Sequence, residues 1–210
     1  MEIALNHFVP HPLREGGSGT FPLTFAIAPG ARRLVMSASG KGKTSIVHSI
    51  YGIRRDYDGT VTLDGAEARS IPPLDWAKIR REKLAVVFQD LRLFPELSGV
   101  DNVLLKNRLT DAKTEAEIWE AADRLGVDRV MRQTAGTMSF GQRQRVAVIR
   151  ALAQPFETIL LDEPFSHLDR ENAEIVGALL EEEATKRGAA IAMTTLDDDL
   201  GFPHDQTTTL

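Results

Sequence analysis

Met36-Ser37-Ala38-Ser39-Gly40-Lys41-Gly42-Lys43-Thr44-Ser45 is the stretch on which the reading of the chain turns. It continues a short apolar run, Leu34-Val35-Met36, in small residues and precedes a helix expected from about Lys43 to Tyr51. A strand that stops abruptly, small residues whose backbone N–H groups converge, and a helix N-terminus together make a cradle for anionic oxygens. In the pattern G-x-x-x-x-G-K-[ST] the lysine reaches the β- and γ-phosphates and the hydroxyl suits Mg²⁺. Gly42, Lys43 and Thr44 meet that pattern, and Ser37 stands where its first glycine belongs. Serine is small but visits positive φ at a higher cost than glycine. Taken alone, the stretch also reads as a Ser/Lys-rich surface turn.

Outward from this loop the chain alternates strands and helices. Leu23 to Ala28 alternates apolar and polar and closes at Pro29-Gly30. Asp58-Gly59 and Asp64-Gly65 bracket a strand over Thr60 to Leu63 as tight turns. Leu84 to Phe88, Thr158 to Leu161 and Ala189 to Met193 are continuous apolar runs, as in strands buried on both faces. Between Leu91 and Ala153 the spacing is mostly helical, most clearly from Thr114 to Leu125. The order predicts an α/β core carrying a helical insertion. Gly16-Gly17-Ser18-Gly19 lacks a following Lys-Thr and helix and reads as a hairpin tip.

Composition narrows the classes. With 210 residues, 42% hydrophobic and 26% charged, the chain has material for one globular domain with a sizeable core. It contains no cysteine, which excludes disulfides, thiolate metal sites and a cysteine nucleophile. A net charge of −5 argues against nucleic acid as the main ligand. No apolar run approaches the ~18 residues of a membrane span, and the N-terminus lacks the pattern of a signal peptide, so a cytoplasmic chain is expected. His7, His11, His48 and His167 show no metal-ligand spacing. Glu181 to Glu183 and Asp197 to Asp199 read as solvated acidic faces.

Four further elements bear chemistry. Ile159-Leu160-Leu161-Asp162-Glu163-Pro164 is an apolar strand ending in two acids. There Asp162 can support a Mg²⁺ shell and Glu163 can polarise a water, although an Asp-Glu pair at a strand end is commonly a solvated turn. Ser139 and Gly141 of Met138-Ser139-Phe140-Gly141-Gln142-Arg143-Gln144-Arg145-Val146 would cap a helix to about Ala153, a second N-terminus suited to an anion. Ser166-His167-Leu168-Asp169 opens another helix with Asp169 as cap, and the strand ending at Phe88 delivers Gln89 at its exit.

In order and spacing these elements resemble the ATP-binding cassette (ABC) ATPases, across essentially the whole chain. The signature element before the Asp-Glu strand separates that family from kinases and GTPases. The resemblance implies a P-loop NTPase fold: an ABC-type nucleotide-binding domain with an antiparallel β subdomain and a helical subdomain. Residues 1–89 and 154–210 would form the nucleotide-binding core and 90–153 the helical signature subdomain, with no appended regulatory domain. It implies ATP and Mg²⁺ as cofactors. Ser39, Gly40, Lys41, Gly42, Lys43, Thr44 and Ser45 would hold the phosphates, with Thr44, Gln89 and Asp162 at the metal. Gln89 would contact the metal or the attacking water, and Glu163 would be the base. Ser139, Gly141 and Gln142 would complete the site of a second protomer, and Asp169 would belong to the loop coupling the two sites. Phe8 lies at the distance expected of an adenine-stacking aromatic, with Phe21 as the alternative, and a phenylalanine in a first strand is as readily core.

Three positions depart from the family pattern. Ser37 replaces a glycine, Phe140 replaces the first of two signature glycines, and Leu196 stands where a switch histidine is expected within Thr195-Leu196-Asp197. A one-residue shift would put Thr195 there, and His204 reads as a surface histidine. Leucine removes a donor to the γ-phosphate. The implied function is the cytoplasmic ATPase subunit of an ABC transporter, peripheral on the inner face of the membrane through a separate permease and dimerising with an identical or different cassette. Arg80-Arg81 to Gln89, Leu93-Phe94-Pro95 and Asp101-Asn102-Val103 resemble the lipoprotein-releasing and macrolide-exporter branch. The alternative is a degenerate cassette acting as an ATP-gated dimerisation or regulatory module with little hydrolysis. A cassette without transport, in DNA repair or cofactor assembly, is a third reading, and the missing coiled-coil arms and negative charge count against its DNA version.

Overall fold

A computed structural model describes residues 1–13, 21–196 and 201–210. The glycine-rich tip at 16–19 and the acidic run at 197–199 lie outside these residues. Two sheets organise the chain. The first is antiparallel, in the order β2 (Leu23–Ile27), β1 (Ile3–Pro10), β4 (Tyr57–Leu63) and β5 (Ala66–Glu67). Asp58-Gly59, expected as a turn, lies inside β4, opposite an irregularity in β1 where His7 takes a φ of 48°. A Cβ at Gly59 would meet the Asn6 and His7 carbonyls at 2.3 Å, so glycine there follows from close backbone approach.

The second sheet is parallel, in the order β6 (Leu84–Val87), β7 (Thr158–Asp162), β8 (Ala190–Thr195), β3 (Arg32–Met36) and β9 (Gln206–Thr209). Every residue of β7 and β8 is buried, which accounts for their unbroken apolar character. β9, polar and largely exposed, carries no such signal and is not among the strands the sequence predicts. Six α-helices lie among the described residues: α1 (Lys43–Ile50), α2 (Pro73–Glu82), α3 (Gly99–Asn107), α4 (Glu115–Arg124), α5 (Phe140–Leu152) and α6 (Arg170–Arg187). One apolar core lies between the two sheets around α1 and α2, and a second gathers α3–α6 against β6–β8. The acidic run at Glu181–Glu183 is not a solvated face. Glu183 is 5% exposed and pairs with Lys113 and Arg187, while Glu181 pairs with Arg32.

The parallel arrangement is what positions the site. Because β3, β6, β7 and β8 run the same way, their C-terminal ends share one edge of the sheet. The loops that follow them therefore emerge together, the usual place for a ligand in an open α/β sheet.

Candidate functional site

The first of these loops runs from Ser37 to Gly42. Ser37 is buried, its N–H donates to Thr195 O (3.2 Å) and its φ is not positive, so the serine carries none of the backbone cost expected of it. The positive φ values fall on Gly40 (77°) and Gly42 (98°), where glycine supplies them without strain. A Cβ on Gly42 would meet Leu13 at 2.6 Å and Phe21 at 3.2 Å, whereas one on Gly40 would enter open space. Gly42 is the N-cap of α1 and offers no side chain to its amides, which are left to an external anion.

An open cleft of about 640 Å³ faces this loop, lined among others by Ser39, Gly40, Lys43, Thr44, Gln89 and Glu163. Lys43 is 4% exposed, and its Nζ donates to Ser37 O (2.5 Å) and Ala38 O (3.0 Å) and pairs with Glu163 Oε1 at 3.3 Å. The Gln89 Nε2 donates to Glu163 Oε2 (3.2 Å) while its Oε1 accepts from the Thr44 hydroxyl (3.3 Å). Four side chains from three segments, the start of α1 and the loops after β6 and β7, thus form one connected polar network.

Asp162, the last residue of β7, is 1% exposed and lies behind the residues that line the cleft. Its Oδ1 accepts from the Thr194 hydroxyl at 2.7 Å, while Oδ2 is buried with no hydrogen-bond partner. Burial pushes this carboxyl up, and the hydroxyls of Thr194 and Thr44 work against that rise. A buried carboxylate oxygen without a hydrogen-bond partner, the Thr44 hydroxyl near the same carboxyl, and Gln89 Oε1 on that hydroxyl are hard-oxygen donors, the chemistry Mg²⁺ takes together with phosphate oxygens. The residues fit the ion. No group of three or more His, Cys, Asp or Glu that could hold a metal occurs among the described residues.

Glu163 adopts a φ of 50°, a left-handed conformation that costs on the order of 1–3 kcal/mol for a residue with a side chain. Several bonds hold it there. Its N–H donates to Thr194 O (3.1 Å) and Oγ1 (3.2 Å), and its carbonyl accepts from Ser166 Oγ (3.1 Å) and Gln144 Nε2 (3.4 Å). Gln144 and Thr194 are residues that sequence reasoning missed. Their signal is a polar side chain on an otherwise apolar surface, the inner face of α5 and the strand β8.

The remaining expected residues sit elsewhere. Lys41 is exposed and does not line the cleft, while Ser45 does and accepts a hydrogen bond from Arg54 (2.8 Å). Ser139, Gly141 and Gln142 lie at the start of α5, away from the cleft lining. Ser139 alone is the cap, in a reciprocal pair with Gln142, and Gly141 is the second helical residue rather than a cap. Phe140 packs edge-on against His167 at 4.2 Å. Asp169 caps α6, and bonds from Asn172 hold its carboxyl below the usual range. Phe8 is 0% exposed, packed against Tyr57 and Phe21, so it has no free face to stack on a base. Phe21, half-buried, lies beside Gly42 at the phosphate loop, although it does not itself line the cleft. Leu196 is the first residue past β8 and is 38% exposed, whereas Thr195 is buried within the strand.

Comparison with known proteins agrees with this architecture. Residues 21–166 match the family described as ABC transporter. An uncharacterised ABC transporter ATP-binding protein of Mycobacterium tuberculosis is 35% identical over 161 residues, 74% of this chain and 49% of that protein. The chain thus spans about half the length of its mycobacterial relatives. The lipoprotein-releasing system ATP-binding protein LolD of Shewanella denitrificans is 31% identical over 183 residues, 84% of this chain and 77% of that protein. Among solved structures, the dimeric post-hydrolysis state of the ATP-binding cassette MJ0796 bound to ADP and Pi superposes with a TM-score of 0.79. Its sequence is 26% identical, and the match covers 93% of this chain and 88% of that one.

Proposed function

The chain belongs to the ABC transporter family, and on that premise we propose that it is an ATP-binding and ATP-hydrolysing subunit that pairs with a second cassette around two Mg-ATP to drive a separate membrane permease. The observation that carries this reading is the network of Lys43, Glu163, Gln89 and Thr44 around the glycine loop, above the buried Asp162. Lys43 and the amides from Gly40 to Ser45 bind the phosphates, and phosphate oxygens compete with the Ser37 and Ala38 carbonyls for the lysine. Thr44, Gln89 and Asp162 would hold Mg²⁺, which when bound neutralises charge on the β- and γ-phosphate oxygens. Glu163 accepts a proton from the water attacking the γ-phosphorus as the bond to the β,γ-bridging oxygen breaks, leaving ADP and inorganic phosphate. Phe21 is the aromatic for adenine.

The helical stretch 90–153 presents the α5 N-terminus, whose first amides lie outside the helix's own ladder, to the nucleotide of the second cassette. Two observations support pairing. Ser139 to Gln142 do not line the same cleft as Lys43, and the similar cassette structure is dimeric. No helix among the described residues is long and apolar enough to cross a membrane. The relatives named lipoprotein-releasing support that branch, with the chain held at the inner face of the membrane through the permease and no nucleic acid involved. One observation favours a second reading, an ATP-gated module with little turnover: Leu196 offers no proton to a γ-phosphate.

The test is steady-state Mg-ATP hydrolysis against protein concentration, with Glu163→Gln and ATP binding measured alongside. Turnover should rise more steeply than linearly and fall by about 10²-fold or more in the variant, which still binds ATP. ATP binding by the wild type without turnover would overturn hydrolysis in favour of the gated module. The absence of ATP binding would overturn both.

A further inference from the structure

We infer that Thr194 is a positioning residue that sets both acids of the site, turning the free oxygen of Asp162 toward the metal position and fixing the backbone of Glu163. This rests on the nucleotide-site reading above. Thr194 is 2% exposed and is the register partner of Asp162 between the adjacent parallel strands β7 and β8. Its hydroxyl donates to Asp162 Oδ1 (2.7 Å) and accepts from Glu163 N (3.2 Å), so one oxygen atom bridges two consecutive acidic residues. Its carbonyl accepts from the same amide at 3.1 Å.

Two consequences follow from the donor inventory. A hydroxyl has one proton; here it goes to Oδ1, which stops the carboxylate from turning and leaves Oδ2 as the buried oxygen without a partner. The hydroxyl's acceptor capacity goes to the Glu163 amide, in a residue whose φ of 50° persists only where its surroundings fix it. Valine has the same shape but can do neither, and serine can do both. The geometry of the two acids therefore depends on a hydroxyl that does not itself line the cleft. Outer partners of this kind typically change metal affinity or activity by ~10–100-fold when removed.

The experiment uses the purified chain with Thr194→Val and Thr194→Ser. Affinity for a fluorescent ATP analogue is read in EDTA and in saturating Mg²⁺, together with kcat and KM for Mg-ATP. In Thr194→Val the Mg²⁺-free affinity should stay within about 2-fold of wild type, reporting an intact fold. The gain in affinity on adding Mg²⁺ should shrink ~10-fold, and kcat should fall at least as far with the larger loss in kcat rather than KM. Thr194→Ser should restore both to within about 3-fold. If the valine variant keeps the wild-type Mg²⁺ gain and kcat, the positioning role is wrong while the nucleotide-site reading stands. If the wild-type chain gains nothing from Mg²⁺, the nucleotide-site reading itself fails and takes this role with it. Should valine not fold, Thr194→Ala against Thr194→Ser asks the same question, since those two differ only by the hydroxyl.

Discussion

Leu196 occupies the first position past β8, next to the strand end whose carbonyl receives the Ser37 amide at the start of the phosphate loop. Leucine there brings bulk without a proton. In the proposed reaction charge builds on the γ-phosphate oxygens, and a single donor aimed at such charge is typically worth ~10²–10³ in rate. Leu196→His should therefore raise kcat, on the order of 10²-fold under the same protein and Mg-ATP concentrations, with ATP affinity little changed. Unchanged kcat would mean that Lys43, Gln89 and the loop amides already supply all the stabilisation the site can use. The other departures weigh less in the structure than in the sequence. Ser37 needs no positive φ, and Phe140 has a partner of its own in His167.

At the scale of elements, caps explain much of what was legible. Thr114 and Glu117 form a reciprocal pair at the start of α4, as Ser139 and Gln142 do at α5, and both helices were readable from their spacing. The Thr114 backbone and hydroxyl hold the Glu117 carboxyl down at about 2 from its ordinary 4.5. Because the folded value lies below the unfolded one, this contact stabilises fully above pH 4.5 and is lost as pH falls toward about 2. Thr114→Ala should cost about 1 kcal/mol in urea unfolding at pH 7. The difference from wild type should narrow as pH drops through that window. A pH-independent difference would assign the stabilisation to the hydroxyl's bond from the Glu117 amide rather than to its bond with the carboxylate. The elements missed in the sequence lacked such marks. Helix α2 begins at Pro73 without a side-chain cap, and β9 alternates nothing apolar.

For the whole molecule, the sequence could name the acids, the lysine and the glutamine because each closes a strand or opens a helix. It could not order the strands, and so could not see that β8 brings Thr194 against Asp162 or that β1 sinks Phe8 into the core. Nor does a net charge of −5 reveal where the cations lie. Arg92, Lys106 and Arg150 line one groove of about 690 Å³ with Phe88 and Phe94, and no acidic residue lines it. Burial, with Arg150 and Arg80 adding repulsion, pushes Lys106 down to about 8 from 10.5. A lysine whose folded value lies below its unfolded one is a burden on stability while protonated in both states, below pH 8. That burden lifts as pH rises from about 8 to 10.5. Lys106→Met keeps the aliphatic stem and drops the charge. The Arg80 carbonyl, which Lys106 contacts at 3.1 Å, keeps its second donor, Gln154 at 3.2 Å. The variant should melt a few degrees higher than wild type at pH 7, and the two curves should converge by about pH 10.5. A variant that melts lower at pH 7 would show that the ammonium is matched within this chain rather than held in excess.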